Sequence, residues 1–174
     1  MKTMTAFSLS RRAMFLGGFF AIAVNLHADV KLPAIFGDHM VLQQDGKIPV
    51  WGTASPGESV KVAVGASEAQ VTADADGHWR VDLPALPSNA TGTTMTVTGK
   101  NTLTFQDVLV GEVWLASGQS NMELHMGDIK GRPNVVNIDD VIAQSANPQI
   151  RLFVVDHQPG IVPKSDSQGT WKVC

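Results

Sequence analysis

A β-sandwich followed by the start of an open α/β sheet is the architecture this sequence predicts. Three observations carry it. Between residues 29 and 107 short apolar runs alternate with polar residues at period 2, separated by turn signals. After residue 108 a continuous apolar run, Val113-Trp114-Leu115-Ala116, leads into the polar turn Ser117-Gly118-Gln119-Ser120-Asn121-Met122. A short helical segment and a second apolar run then follow, in the strand, helix, strand order of a parallel unit.

In the first region Val60, Val62 and Val64 form one apolar face, Trp79, Val81 and Leu83 a second, and Met95 and Val97 a third. Asp74-Ala75-Asp76-Gly77 reads as a hairpin loop. Pro56-Gly57 and Pro87-Ser88-Asn89 mark further turns. Evenly spaced short strands of this kind suggest two packed sheets. Trp51 and Trp79 fit either a sugar-stacking platform or the core. Aromatic burial favours core for both. His39 and His78 read as loop or solvent-face residues, outside any metal-ligand spacing.

In the second region Val113-Trp114-Leu115-Ala116 reads as a strand buried on both faces. Ser120 would follow at its carboxyl end, where open α/β sheets place their ligands. Gly118 permits a tight turn. Two compatible readings attach to Ser120. It is a good helix N-cap, or it is an exposed nucleophile whose own N–H helps hold an oxyanion. Asn137 would cap a helix beginning at Ile138, with Ile138, Val141 and Ile142 on one face. Ile150-Arg151-Leu152-Phe153-Val154-Val155 reads as the second parallel strand. From 158 to 174 no further strand–helix repeat is legible.

The chain has 174 residues and a formal net charge of -3. Residues 1–28 contain no Asp or Glu, and Arg11-Arg12 precede a short apolar run. That pattern is a secretion signal, of the Sec or the twin-arginine kind. Removing its three basic residues takes the charge to about -6, which argues against nucleic acid or an anionic membrane as partner. No stable membrane anchor is expected after cleavage, and the location is periplasmic or secreted. The single cysteine, Cys174, excludes an internal disulfide and a Cys-rich metal site. No cofactor and no metal are expected.

The turn fails the G-x-S-x-G nucleophile elbow, because Met122 occupies its last position. Gly118-Gln119-Ser120-Asn121-Met122 instead resembles the first motif block of the SGNH hydrolases, in the variant of the sialate O-acetylesterase family. The resemblance extends over roughly residues 30–155. It includes Leu32-Pro33-Ala34-Ile35-Phe36-Gly37-Asp38-His39-Met40-Val41-Leu42-Gln43-Gln44, then Val50-Trp51-Gly52 with Pro56-Gly57-Glu58. Asp76-Gly77-His78-Trp79 and Val110-Gly111-Glu112-Val113-Trp114 complete the ordered set.

This resemblance implies a galactose-binding-like or Ig-like β-sandwich over 29–107, after a signal peptide over 1–28. An α/β SGNH (flavodoxin-like) hydrolase domain would begin at 108 and be incomplete at 174. It implies removal of acetyl esters from sialic acid or other acetylated sugars, with Ser120 as nucleophile and backbone oxyanion donor and Gly118, Gln119 and Asn121 supporting the turn. The family's acid and base come from a later Asp-x-x-His block, and no Asp-x-x-His follows Ser120 here. The expectation is therefore an apparently truncated, inactive amino-terminal portion of an esterase. His125, five residues on, and His157, after the second apolar run, are read as solvated loop residues. The competing reading is a non-catalytic carbohydrate-binding or scaffolding β-module. In either case the partner is an O-acetylated sugar or glycan.

Overall fold

The structure is a computed structural model, and it describes residues 29–119, 122, 136–157 and 161–174. The expected signal segment, Ser120, Asn121 and His125 lie outside the described residues. Among the described residues no helix is long and apolar enough to cross a membrane.

The protein is mostly β. Seven strands follow from the amino-terminal side: β1 (Val41–Gln43), β2 (Ile48–Thr53), β3 (Ser59–Val64), β4 (Ser67–Thr72), β5 (His78–Leu83), β6 (Asn89–Thr98) and β7 (Thr102–Gly111). Five of them form one sheet in the order β1-β7-β6-β3-β4. Within it β1 runs parallel to β7, and the other pairs are antiparallel. β2 and β5 form a separate antiparallel ribbon. β5 lies against β4 and β3, which closes the ribbon over the larger sheet.

The alternation explains this closure. Val60, Val62 and Val64 on β3, Trp79, Val81 and Leu83 on β5, and Met95 and Val97 on β6 all enter one core. Leu83, Met95, Val60, Val62 and Val97 are fully enclosed. The three alternating runs thus lie in strands whose apolar faces meet, as expected from their period.

Asp74-Ala75-Asp76-Gly77 does form a turn. The Asp76 and His78 N–H groups donate to Asp74 Oδ1 at 2.9 and 2.8 Å. It is not a hairpin loop, because β4 and β5 are not ladder partners. It carries the chain from one sheet to the other, a choice that local turn chemistry does not encode.

Trp51 corrects a second expectation. It is 40% exposed, not core. On β2 it pairs with Arg80, whereas Val50 pairs with Val81 and Gly52 with Trp79. The strand period therefore sends Trp51 outward and leaves Val50 and Trp79 inside. Gly52 is needed where it stands. A Cβ there would run into the Lys31 carbonyl and meet the Trp79 ring at 3.0 Å.

Beyond β7 lie α1 (Ile138–Ala143), β8 (Arg151–Val155) and β9 (Gly169–Val173). β7 itself continues through residue 108 to Gly111, across the expected domain boundary. The expected parallel strand–helix–strand unit is not formed by these residues. Val113-Trp114-Leu115-Ala116 belongs to no strand, and Trp114 and Leu115 are 84% and 94% exposed. The Val113 N–H donates to the Gln43 side chain (2.8 Å) rather than to a neighbouring strand. A strand apolar on both faces needs neighbours on both sides, and none of the described strands pairs with it.

β8 pairs antiparallel with β9, in a stretch where no strand was expected. Trp171 on β9 contacts Phe153 on β8 at a ring separation of 5.4 Å. Its Nε1–H donates to the Ile35 carbonyl at 2.7 Å, fixing the hairpin to the segment before β1. The outward residues Leu152, Val154 and Val155 stay half-exposed. α1 forms where expected, but none of its residues is buried. Asn137 sits before it in the left-handed region (φ 57°) and makes no side-chain capping bond. Its carbonyl, not its side chain, accepts the first helical N–H, from Val141.

Candidate active site

The serine turn is seen through its flanks. The Met122 N–H donates to the Gln119 carbonyl at 2.8 Å. Gly118 packs under the Met122 side chain, and a Cβ on Gly118 would stand 2.6 Å from Met122 Cγ. Gln119 and Gly118 are exposed. Ser120 and Asn121 lie outside the described residues. The expected strand that would have presented Ser120 is absent, as described above.

His157 follows β8 directly, as the sequence suggested, and is exposed. Cys174 is half-buried, with its Sγ 3.2 Å from the Ser145 carbonyl. Among the described residues no group of three His, Cys, Asp or Glu side chains is placed to hold a metal ion.

Sequence reasoning missed a cluster that joins three elements. Asp107 Oδ2 accepts from His39 Nδ1 at 2.7 Å and from an Arg151 Nη at 2.9 Å. The Arg151 side chain is 4% exposed, and its Nε and other Nη are buried without partners. His39 and Asp107 both adopt positive φ, 65° and 53°. The backbone reinforces the join. The His39 N–H donates to the Gln106 carbonyl, and the Gln106 N–H to Asp38 Oδ1. Sequence separations of 68 and 44 residues hide this cluster from any local pattern. Its carboxylate ties β8 to the large sheet and neutralises a buried guanidinium.

The hydrogen bond from His39, helped by the Arg151 charge and opposed by desolvation, holds the Asp107 carboxyl below its ordinary range. A depressed carboxylate stabilises the fold above its unfolded pKa, near 3.9, and loses that contribution as pH falls through the folded value. Asp107→Asn should therefore cost about 1–3 kcal/mol at pH 7. The gap to the wild type should begin to narrow below about pH 4 and close as pH falls through the lowered folded value. Urea midpoints of both proteins across pH 3–7 check this.

A buried carboxylate, Glu58, explains the Pro56-Gly57-Glu58 landmark. Glu58 is 8% exposed and accepts the Ser55 N–H (3.0 Å) and the Lys100 N–H (2.6 Å). Desolvation raises its pKa, but these bonds and the Lys100 charge outweigh it, and the net shift is downward. The landmark is thus a structural tie between the β2–β3 turn and the β6–β7 turn.

No family model matches the chain. A solved carbohydrate acetylesterase from Xanthomonas citri shares its fold with a TM-score of 0.75 and 35% identity. The match covers 83% of this chain and 32% of that one. An ice-binding, Ca2+-stabilized adhesin from an Antarctic bacterium aligns at a TM-score of only 0.32 and 22% identity, over 53% of this chain and 26% of its own. The chain is therefore similar in fold to a carbohydrate acetylesterase.

In sequence it is 32% identical to the mouse (Mus musculus) sialate O-acetylesterase over 104 residues, which is 53% of this chain and 19% of that protein. Both similar proteins are acetylesterases by name, one of sialate and one of carbohydrate. The chain spans less than a third of the length of either relative.

Proposed function

We propose that this chain contributes the nucleophile-bearing part of a carbohydrate O-acetylesterase. The observation that carries the reading is the 35% identity and shared fold over 83% of the chain with a carbohydrate acetylesterase. Ser120 would attack the acetyl carbonyl, and its N–H would help hold the oxyanion. A histidine base would take the hydroxyl proton and return it to the leaving sugar oxygen. The Asp-x-x-His block that supplies this base in the resembled family does not occur after Ser120. The 174 residues alone should therefore turn over acetyl esters negligibly.

Fragment complementation tests the reading. The chain is co-expressed with the part of the Xanthomonas citri enzyme that it does not match. Acetate release is then measured on acetylated xylan and O-acetylated sialic acid. Ser120-dependent release by the pair supports the proposal. A stable complex without release, or release unaffected by Ser120→Ala, sinks it. Ser120-dependent hydrolysis by the chain alone would overturn the claim of inactivity.

Export is part of the same proposal, resting on the acid-free, basic-then-apolar amino terminus. Amino-terminal sequencing of the periplasmic or secreted product should begin near Asp29. A start at Met1 in the cytoplasm would remove it.

A further inference from the structure

Trp51 stands on the outer face of the β2–β5 ribbon beside a cleft of about 490 Å³. That volume lies within the usual range for small-molecule sites, roughly 300–1,000 Å³. One side of the cleft is aromatic and apolar, from Trp51 and Ile35. The other is polar, from Asp156, Lys164, Asp166 and Gln168 on the segment joining β8 to β9. We infer that the Trp51 cleft is a glycan subsite for neutral sugar residues of the substrate chain, set apart from the serine turn in sequence and built between Trp51 of β2 and the segment joining β8 to β9.

Three physical points carry this. First, an indole 40% exposed on a strand whose inward residues are enclosed exposes apolar surface at a cost, and a ligand that covers it recovers that cost. A pyranose does so well, because its C–H face is apolar and slightly positive while the indole face is negative. Second, the site is held in place before any ligand arrives. Phe36, itself buried, meets Trp51 edge-on at 4.9 Å and 75°. The facing wall is tied to the same floor, since the Ala34 N–H donates to both Asp166 oxygens (3.2 and 3.4 Å), and Trp171 donates to the Ile35 carbonyl. Such fixing lowers the entropy cost of binding.

Third, the polar wall chooses the sugar. Carboxylates and a side-chain amide suit hydroxyl groups. Asp156 and Asp166 against Lys164 leave one net negative charge, in a chain that is itself acidic. A sialic acid carboxylate would meet like charge there, whereas a neutral pentose or hexose would not. The substrate assignment rests on the acetylesterase reading, and the subsite itself does not.

Titration of the 174-residue chain with neutral xylo- and manno-oligosaccharides and with N-acetylneuraminic acid, by calorimetry, tests the subsite. Binding of a neutral oligosaccharide is expected, weakened at least about tenfold in Trp51→Ala and less in Trp51→Phe. Circular dichroism and urea midpoints close to the wild type's show that the variants fold. In the complemented enzyme Trp51→Ala should raise KM for acetylated neutral glycan about tenfold with kcat unchanged. Absent binding of neutral sugars, equal binding by Trp51→Ala, or preference for the sialic acid overturns the subsite. Ser120-dependent acetate release in those cases leaves the esterase reading standing. Trp51-dependent sugar binding without acetate release leaves the subsite and removes the enzyme.

Discussion

Ser120→Ala should lower kcat of the complemented esterase by on the order of 10⁶ while changing KM only a few-fold. The hydroxyl is the bond-forming atom, so its loss removes the covalent route and leaves binding to the rest of the pocket. At about 1.36 kcal/mol per tenfold, this is the largest single-residue effect expected in the molecule. The same logic sets the activity of the 174 residues alone. A general base that these residues do not supply is worth about 10²–10⁴ in rate. Acetate release followed over substrate concentration separates kcat from KM. A Ser120→Ala enzyme with raised KM but intact kcat would show that Ser120 binds rather than reacts.

Leu83→Ala should destabilise the fold by about 2–5 kcal/mol. Leu83 is wholly enclosed on β5, opposite Ile48 of β2, where ribbon and large sheet meet. The removed atoms leave a cavity that close-packed neighbours fill only in part. Total stability of a domain is usually about 5–15 kcal/mol, so the loss is a large fraction. Leu115→Ala is the informative partner. Leu115 lies in the run that reads as a buried strand, yet it is 94% exposed. Its truncation should cost no more than about 0.5 kcal/mol. Urea unfolding of the two variants in parallel decides the matter. Equal losses would mean that the apolar run is buried after all.

Much of the β-region was legible because period-2 alternation is a local signal with a direct physical cause. Ser59–Val64, His78–Leu83 and the end of β6 follow from it, and so does the enclosure of Val62, Val81, Trp79 and Met95. Alternation says which residues of a strand share a face. It does not say which strand lies beside it or in which sheet, and the Asp74-Ala75-Asp76-Gly77 turn was misjudged for that reason. Trp51 was misjudged for a related one. Its face depends on pairing with Arg80 rather than on its own hydrophobicity.

Of the candidate site, the motif around Ser120 and its flanking landmarks stand in the sequence, and the two relatives agree with the family they suggest. The sequence by itself determined the alternating strands, their inward residues, the position of α1 and the acetylesterase-like signature. Tertiary structure alone decided that β8 turns back on β9 and that residues 113–116 join no sheet. It also brought Asp107 between His39 and a buried Arg151, and opened a cleft beside Trp51. The Arg151–Asp107 pair and the Trp171 tie to Ile35 span 44 and 136 residues. Local propensity carries no information about such partners, and only the packing of whole sheets brings them into reach.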